Sequence, residues 1–451
     1  MMTILENATL DLFLYDLREG LGQNQTEIDY NRHQFKQKLP TFGHDSFEQR
    51  ESQFFEPDYL ELTQPRTLSF QSETHKGYYY PVRLNDVYGL LIECELRPAQ
   101  PTAQLDWLTD LQQTILAKLN GTTATLGETW LFSAQLPFES EELARRCCAC
   151  LMGQDDDKSI EYYSLLEGCL LEGWTINKPQ HVIVILYSQP ETEKKIADLY
   201  PDFMRLLAYR HKIQWAYQQS RELKQLLKQA ATEAESCRIT LNSYTQQRFN
   251  ADNFQHSLQQ SWQILSRYSS SLNDFAHQIR TIETNHHNYD KCLNTIETKI
   301  DQKLPVLSRF SHHTQNKYLL QAQTDYANLS PELQSLKNMI EYIRASVAIA
   351  EEKRDRDFQR MVGTWGIGLA VGAIMASISG QLPTAQEGDW FGLCVWLMTG
   401  FTIPKAWLPF TISIMFSTIS IIFSISMALL VGLGMKLWFW CSQKRGGQRT
   451  K

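Results

Sequence analysis

The chain has 451 residues, 43 Lys and Arg against 50 Asp and Glu, a net charge of −7, and nine cysteines. That length accommodates two or three domains. The acidic balance argues against nucleic acid as a partner, because phosphate binding needs a basic face.

The opening MMTILENATLDLFLYDLREG carries Glu6, Asp11 and Asp16 inside its apolar stretch. It has neither a basic leading region nor a cleavage site, so it does not read as a signal peptide. The bulk of the protein is then expected in a reducing compartment, with its cysteines as thiols. Residues 1–55 are rich in Gln, Glu and Asn and lack a sustained period. They read as a flexible N-terminal arm with one short apolar helix near residues 10–17.

Residues 56–190 read as a cytosolic α/β domain. Two strand-like runs, 78–84 and 87–96, flank Asn85-Asp86, a hairpin signal. In the second run Leu90, Ile92, Cys94 and Leu96 share one face, while Glu93 and Glu95 share the other. Residues 102–119 predict a helix with Leu105, Leu108, Leu111, Ile115 and Leu119 on one stripe, stopped by Asn120-Gly121. Residues 130–134 form a short strand candidate. Ser140 suits the N-cap of a helix ending at Gly153, and HVIVILY at 181–187 reads as a strand buried on both faces.

Residues 191–313 predict an antiparallel pair of long coiled-coil helices. The first runs over about 196–244, with Ile213, Leu223, Leu227, Ala230, Ala234, Cys237 and Leu241 in register. The second opens at Phe254. Alternating steps of four and three give Phe254, Leu258, Ser261, Leu265, Tyr268, Leu272, Phe275, Ile279, Ile282, His286, Tyr289, Leu293, Ile296 and Ile300, a coiled-coil seam with two polar layers, Ser261 and His286. At 1.5 Å per residue this helix is ~70 Å long. A stalk helix is expected within 314–360. It is capped by Ser330-Pro331 and carries Leu333, Leu336, Ile340, Ile343, Val347 and Ala350 on one seam.

Residues 361–435 predict a transmembrane hairpin. Runs 361–386 and 406–435 carry no charge, and about 20 helical residues cross a hydrocarbon core of ~30 Å. Nine basic residues flank the runs on the outside: Lys353, Arg354, Arg356, Arg360, Lys436, Lys444, Arg445, Arg449 and Lys451. One, Lys405, lies between them. This places both termini in the cytoplasm, with 436–451 as a basic cytosolic tail. Trp365, Trp390, Trp407, Trp438 and Trp440 fit an aromatic belt. The spans hold no ionisable side chain, which disfavours a proton-coupled pump. Thr364, Gly368, Gly372, Ala376 and Gly380 form a small-residue stripe in the first span; Ser413, Ser417, Ser420 and Ser424 form a hydroxyl stripe in the second. Helix packing accounts for both stripes more simply than pore lining does. One hairpin cannot enclose a pore, so conduction requires an oligomer.

No nucleotide-binding, zinc-protease or nucleophile-elbow motif occurs, and the chain is not read as an enzyme. Cys147, Cys148 and Cys150 read as a buried helix face rather than a zinc site. His286-His287 and His312-His313 lack ligand partners at metal spacing. Asp155-Asp156-Asp157 reads as a solvated loop, with a divalent cation as the one cofactor it admits.

The layout of α/β domain, long helix pair, stalk, two spans and basic tail resembles the CorA family of magnesium and cobalt channels, over residues 77–451. That family carries Gly-Met-Asn after the first span, where the Asn forms the outer selectivity ring. Here the place reads Ser379-Gly380-Gln381-Leu382. Gly380 matches the family glycine, and Gln381 and Leu382 replace Met and Asn, so that ring is missing. The resemblance implies a homopentamer with the first span lining a pore and Gly380 and Gln381 at its mouth, in the inner membrane if the source is bacterial. The leading expectation is a homo-oligomeric cation channel or gated pore with a cytosolic sensing domain. The alternatives are a membrane-anchored coiled-coil scaffold and a ligand-gated membrane-disrupting effector.

Overall fold

A computed structural model describes residues 6–351, apart from 21, 53–57, 97–104, 137–139, 154–159, 166–167, 175–179 and 247–250. These residues fall in the first of the chain's two compact units, Met1–Gly368.

Strand β1, Glu6–Leu17, is the middle of a nine-stranded sheet, which corrects the expected arm and its short helix. It pairs antiparallel with β5, Val87–Leu96, on one side and β6, Gly127–Gln135, on the other. The alternation is that of a strand buried on both faces. Leu10, Leu12 and Leu14 enter one core, and Phe13 and Tyr15 the other. Helices α1, Gln25–Lys36, and α2, His44–Glu51, also lie within 1–55 and are docked. Glu51, on α2, accepts from Arg83 at 2.9 Å, Tyr88 at 2.7 Å and Arg18 at 2.9 Å, and Lys38 donates to Asp16 at 2.6 Å.

The sheet continues through short β2, Leu60–Glu61, and β3, Leu68–Gln71, both on β4, His75–Leu84. β4 and β5 form the expected hairpin, with Asn85 at φ +54. Helix α3, Asp106–Lys118, buries Leu108, Leu111 and Ile115. Helix α4, Glu141–Met152, is capped by the Ser140 hydroxyl, which accepts from the Leu143 N–H at 3.3 Å, and stops at Gly153 with φ +64. The far half of the sheet holds β7, Ile160–Leu165, β8, Gly168–Trp174, and β9, Gln180–Tyr187. Among the described residues only β6 and β9 run parallel; the other ladders are antiparallel.

Helix α5, Pro190–Asp198, leads into α6, Tyr200–Gln246, and α7, Ala251–Ile300. Cys237 meets Ser261, Glu233 meets Arg267, and Asp202 meets Lys299, so α6 and α7 are antiparallel. Leu258, Ser261, Leu265, Tyr268, Leu272, Phe275, Ile282, Tyr289, Leu293 and Ile296 of the expected seam are buried. Ile279 and Ile300 are half-buried against the same core.

The third long helix departs from expectation. After α8, Pro305–His313, a π-helical turn at Thr314–Leu319 feeds α9, Leu320–Glu351, and Pro331 sits inside that helix. Ser330 is therefore not an N-cap. Proline removes the N–H that would reach the Ala327 carbonyl, and the Ser330 hydroxyl donates there instead, at 3.4 Å. The Tyr268 hydroxyl donates to the Leu329 carbonyl at 2.7 Å, and the Trp262 ring lies 5.0 Å from Arg344, so α9 runs antiparallel to α7 and completes a three-helix bundle. One apolar core runs from Phe13 and Tyr15 on the sheet through α6 and α7 to Ile340 and Ile343 on α9. Among the described residues no helix is long and apolar enough to cross a membrane. The expected spans and tail, 361–451, lie outside the described residues.

Candidate functional site

The site residues singled out from sequence, Thr364, Gly368, Gly372, Ala376, Gly380, Gln381, Ser413, Ser417, Ser420 and Ser424, lie outside the described residues, as does Asp155-Asp156-Asp157. Cys147 and Cys148 are buried on α4, and burial pushes both thiols up to about 12. The His286 ring lies 2.8 Å from the Ser311 hydroxyl. Among the described residues no three His, Cys, Asp or Glu side chains are grouped to hold a metal ion.

What the fold does assemble is an acidic, tyrosine-walled cavity of about 430 Å³ against one face of the sheet. Its floor is made by β1, β4, β5, β6 and β9, which contribute Thr9, Tyr78, Leu91, Glu93, Glu95, Ser133 and Tyr187 among others; α5 and the start of α6 add Glu193, Asp198 and Tyr200. Arg66 also lines it.

Beside this floor, Asp11 on β1 stands directly opposite Glu93 on β5. Like charges facing across a ladder are destabilising, and here both are largely out of water. Asp11 is fully buried. Its Oδ2 accepts from the Tyr200 hydroxyl at 2.6 Å, while Oδ1 has no hydrogen-bond partner. Glu93 accepts from the Tyr78 hydroxyl at 2.8 Å. Burial, and then the Glu93 carboxylate, raise Asp11 well above the usual carboxylate range. Burial lifts Glu93 to about 7; the Tyr78 hydrogen bond opposes the rise and Glu95 adds to it. Around neutral pH the pair therefore holds a proton that ordinary carboxyls would have lost. Lys76, the nearby ammonium, is paired with Glu95 at 2.6 Å.

A second polar cluster lies deeper, where β6, β8 and β9 meet α6. Thr129 Oγ1 is 2.9 Å from His181 Nδ1 and 2.7 Å from His211 Nε2. His181 Nε2 and the Arg210 guanidinium each lie 2.8 Å from Glu172 Oε1. An ionised Glu172 can only accept, so a neutral His181 donates to it, Thr129 donates to His181, and His211 donates to Thr129. Burial, and then Arg210, push His181 down to about 4, and burial holds His211 well below the usual imidazole range. Burial opposes the Glu172 charge, yet Arg210 and His181 keep its carboxyl below the usual value. The order acid, imidazole, hydroxyl is that of a nucleophilic triad, but Thr129 is fully buried, so the chain acts as a lock between sheet and bundle. Gly127 makes room for it: at φ +152, a Cβ there would meet His211 Nδ1 at 2.4 Å.

Reading the sequence found the face carrying Glu93 and Glu95 but not the cavity. The missing signal is the pairing of Asp11 with a residue 82 positions later in the chain, which no local period encodes. No protein-family model, no curated protein and no solved structure matches this chain.

Proposed function

We propose that the chain is a CorA-like, homo-oligomeric integral membrane protein that conducts cations or gates the membrane, with the α/β domain as its cytosolic sensor. The observation that carries this reading is the single apolar core from Phe13 on the sheet to Ile343 on α9. Close-packed interiors switch between discrete arrangements rather than deforming smoothly. A ligand that shifts the sheet's cavity face would therefore bias the whole bundle, including the helix that leads toward the hydrophobic runs. The layout of α/β domain, antiparallel α6 and α7 and long α9 supports the same reading, as do the uncharged runs 361–386 and 406–435 with their basic flanks. Both termini are placed in the cytoplasm, in the inner membrane for a bacterial source, and the oligomer is a pentamer.

The test is reconstitution of the detergent-purified full-length protein into liposomes, with native mass measurement of the same sample. A homopentamer passing monovalent or divalent cations is expected. An assembly that inserts but passes no ion under any ligand condition would instead mark a membrane-anchored coiled-coil scaffold.

A further inference from the structure

The acidic cavity has features that folding alone does not explain. Two carboxyls oppose each other across β1 and β5, one of them fully buried with an oxygen that lacks a hydrogen-bond partner. An unmet buried acceptor costs about 1–3 kcal/mol. Departures from local rules without a stabilising return concentrate at functional sites. Among the described residues neither nearby cation forms an ion pair with Asp11 or Glu93: Lys76 is engaged with Glu95 and reaches Glu93 only through space, and Arg66 lies in the cavity beside Tyr78 and Tyr80. A retained proton is what the pair has in place of a partner, and a positive charge supplied from outside can take that proton's place.

The shape of the cavity narrows the choice. About 430 Å³ is far more room than a bare ion fills. The Tyr78 and Tyr200 hydroxyls already occupy one oxygen of each carboxyl, and among the described residues no three acidic or imidazole side chains are grouped to hold a metal ion. Tyr78, Tyr80, Tyr187 and Tyr200 line the walls, and aromatic rings accept both carbon chains and ammonium groups. Glu193 and Asp198 bring a second acidic patch from α5. A protonated amine carries three donors and suits an unfilled carboxylate oxygen.

We propose that the cavity binds a small aliphatic polyamine, one ammonium against Glu93, with the buried Asp11 behind it, and another toward Glu193 and Asp198. The proposal rests on the sensing role argued above and names its ligand class. It has a distinctive consequence. The groups facing Glu93 are Asp11, Lys76, Tyr78, Glu95, Glu193 and Tyr200; among them the carboxyl pair retains a proton near neutral pH, and an arriving ammonium displaces it. Binding thus releases a proton.

The probe is spermidine, titrated calorimetrically into full-length protein in detergent at pH 7, in phosphate and in Tris. One spermidine per protomer is expected, with a heat that differs between buffers. Putrescine should bind at least tenfold tighter than butylamine, because only it reaches both acidic patches. Glu93→Gln should weaken spermidine at least tenfold and abolish the buffer dependence. Asp198→Asn, at an exposed position, should weaken it severalfold without disturbing the fold, and Glu235→Gln, on the exposed face of α6, should change nothing. No heat at 1 mM spermidine, equal losses in all three variants, or displacement of spermidine by equimolar magnesium would each overturn the proposal. Liposome conductance is measured separately, so cation flux without amine binding would leave the membrane reading standing, and amine binding without flux the reverse.

Discussion

Two residues, Glu93 and His181, pull the stability of the fold in opposite directions with pH. Glu93 titrates near 7 in the folded chain against an ordinary 4.5, so its contribution is whole below 4.5 and falls as pH rises through 7. His181 titrates near 4 against an ordinary 6.5, so its contribution is whole above 6.5 and falls as pH drops toward 4. Each is worth on the order of 3 kcal/mol, and between about 4.5 and 6.5 they offset one another. Glu93→Gln should unmask the histidine: its thermal midpoint should climb from pH 4.5 to 6.5 and exceed wild type most above pH 7. Equal midpoints for the two proteins from pH 4.5 to 8 would contradict this. Thr129→Val strips the shared hydroxyl from His181 and His211 and should cost about 2–6 kcal/mol, since two buried imidazole nitrogens lose partners at ~1–3 kcal/mol each; chemical denaturation in detergent measures it. Little at this scale was legible in the sequence. Glu93 stands out on its strand, but Thr129, His181 and His211 come from β6, β9 and α6, and Asp11 reads as a charge interrupting an apolar run. Their roles come from strand pairing and burial, which a linear pattern does not contain.

Among the elements, those that repeat were legible and those that pair at a distance were not. The seam from Leu258 to Ile296 has a period, so α7 can be read directly, and Ser140 and Gly153 bound α4 by their own chemistry. Strand β1 was misread because its apolar residues serve two cores, which gives a dense hydrophobic run that a short amphipathic helix also shows. Ser330-Pro331 was misread because a cap signal is local, whereas here packing against Tyr268 carries the helix through the proline. Both cases yield tests by thermal unfolding of the full-length protein. Ile282 is fully buried and Ile279 only half-buried, so Ile282→Asp should cost several kcal/mol and lower the midpoint clearly more than Ile279→Asp. Pro331→Ala restores a helical N–H and should raise the midpoint, through a stability gain of about 1–2 kcal/mol rather than the ~3 usual for an interior proline, because Ser330 already serves the Ala327 carbonyl.

For the whole molecule, the proposed hairpin makes a topological demand. A cysteine probe at Glu387 should react with an impermeant reagent from outside the cell and one at Thr450 should not; reversed labelling excludes cytoplasmic termini. Gly368→Leu with Gly372→Leu should dissociate the oligomer or abolish flux while leaving insertion intact, since close helix approach needs the small face. The position of β1 sets a further constraint, one on how the protein can be handled and made. The strand lies between β5 and β6, so it is the splice joining two otherwise separate half-sheets. Its partners begin at Val87 and Gly127, so a nascent chain carries this apolar strand without its first partner for about seventy further residues and without its second for more than a hundred. Trimming the first twenty residues as a dispensable tail would remove the keystone and expose two long sheet edges, the surfaces from which aggregation starts. Affinity tags and fluorescent fusions placed close against that strand carry the same hazard.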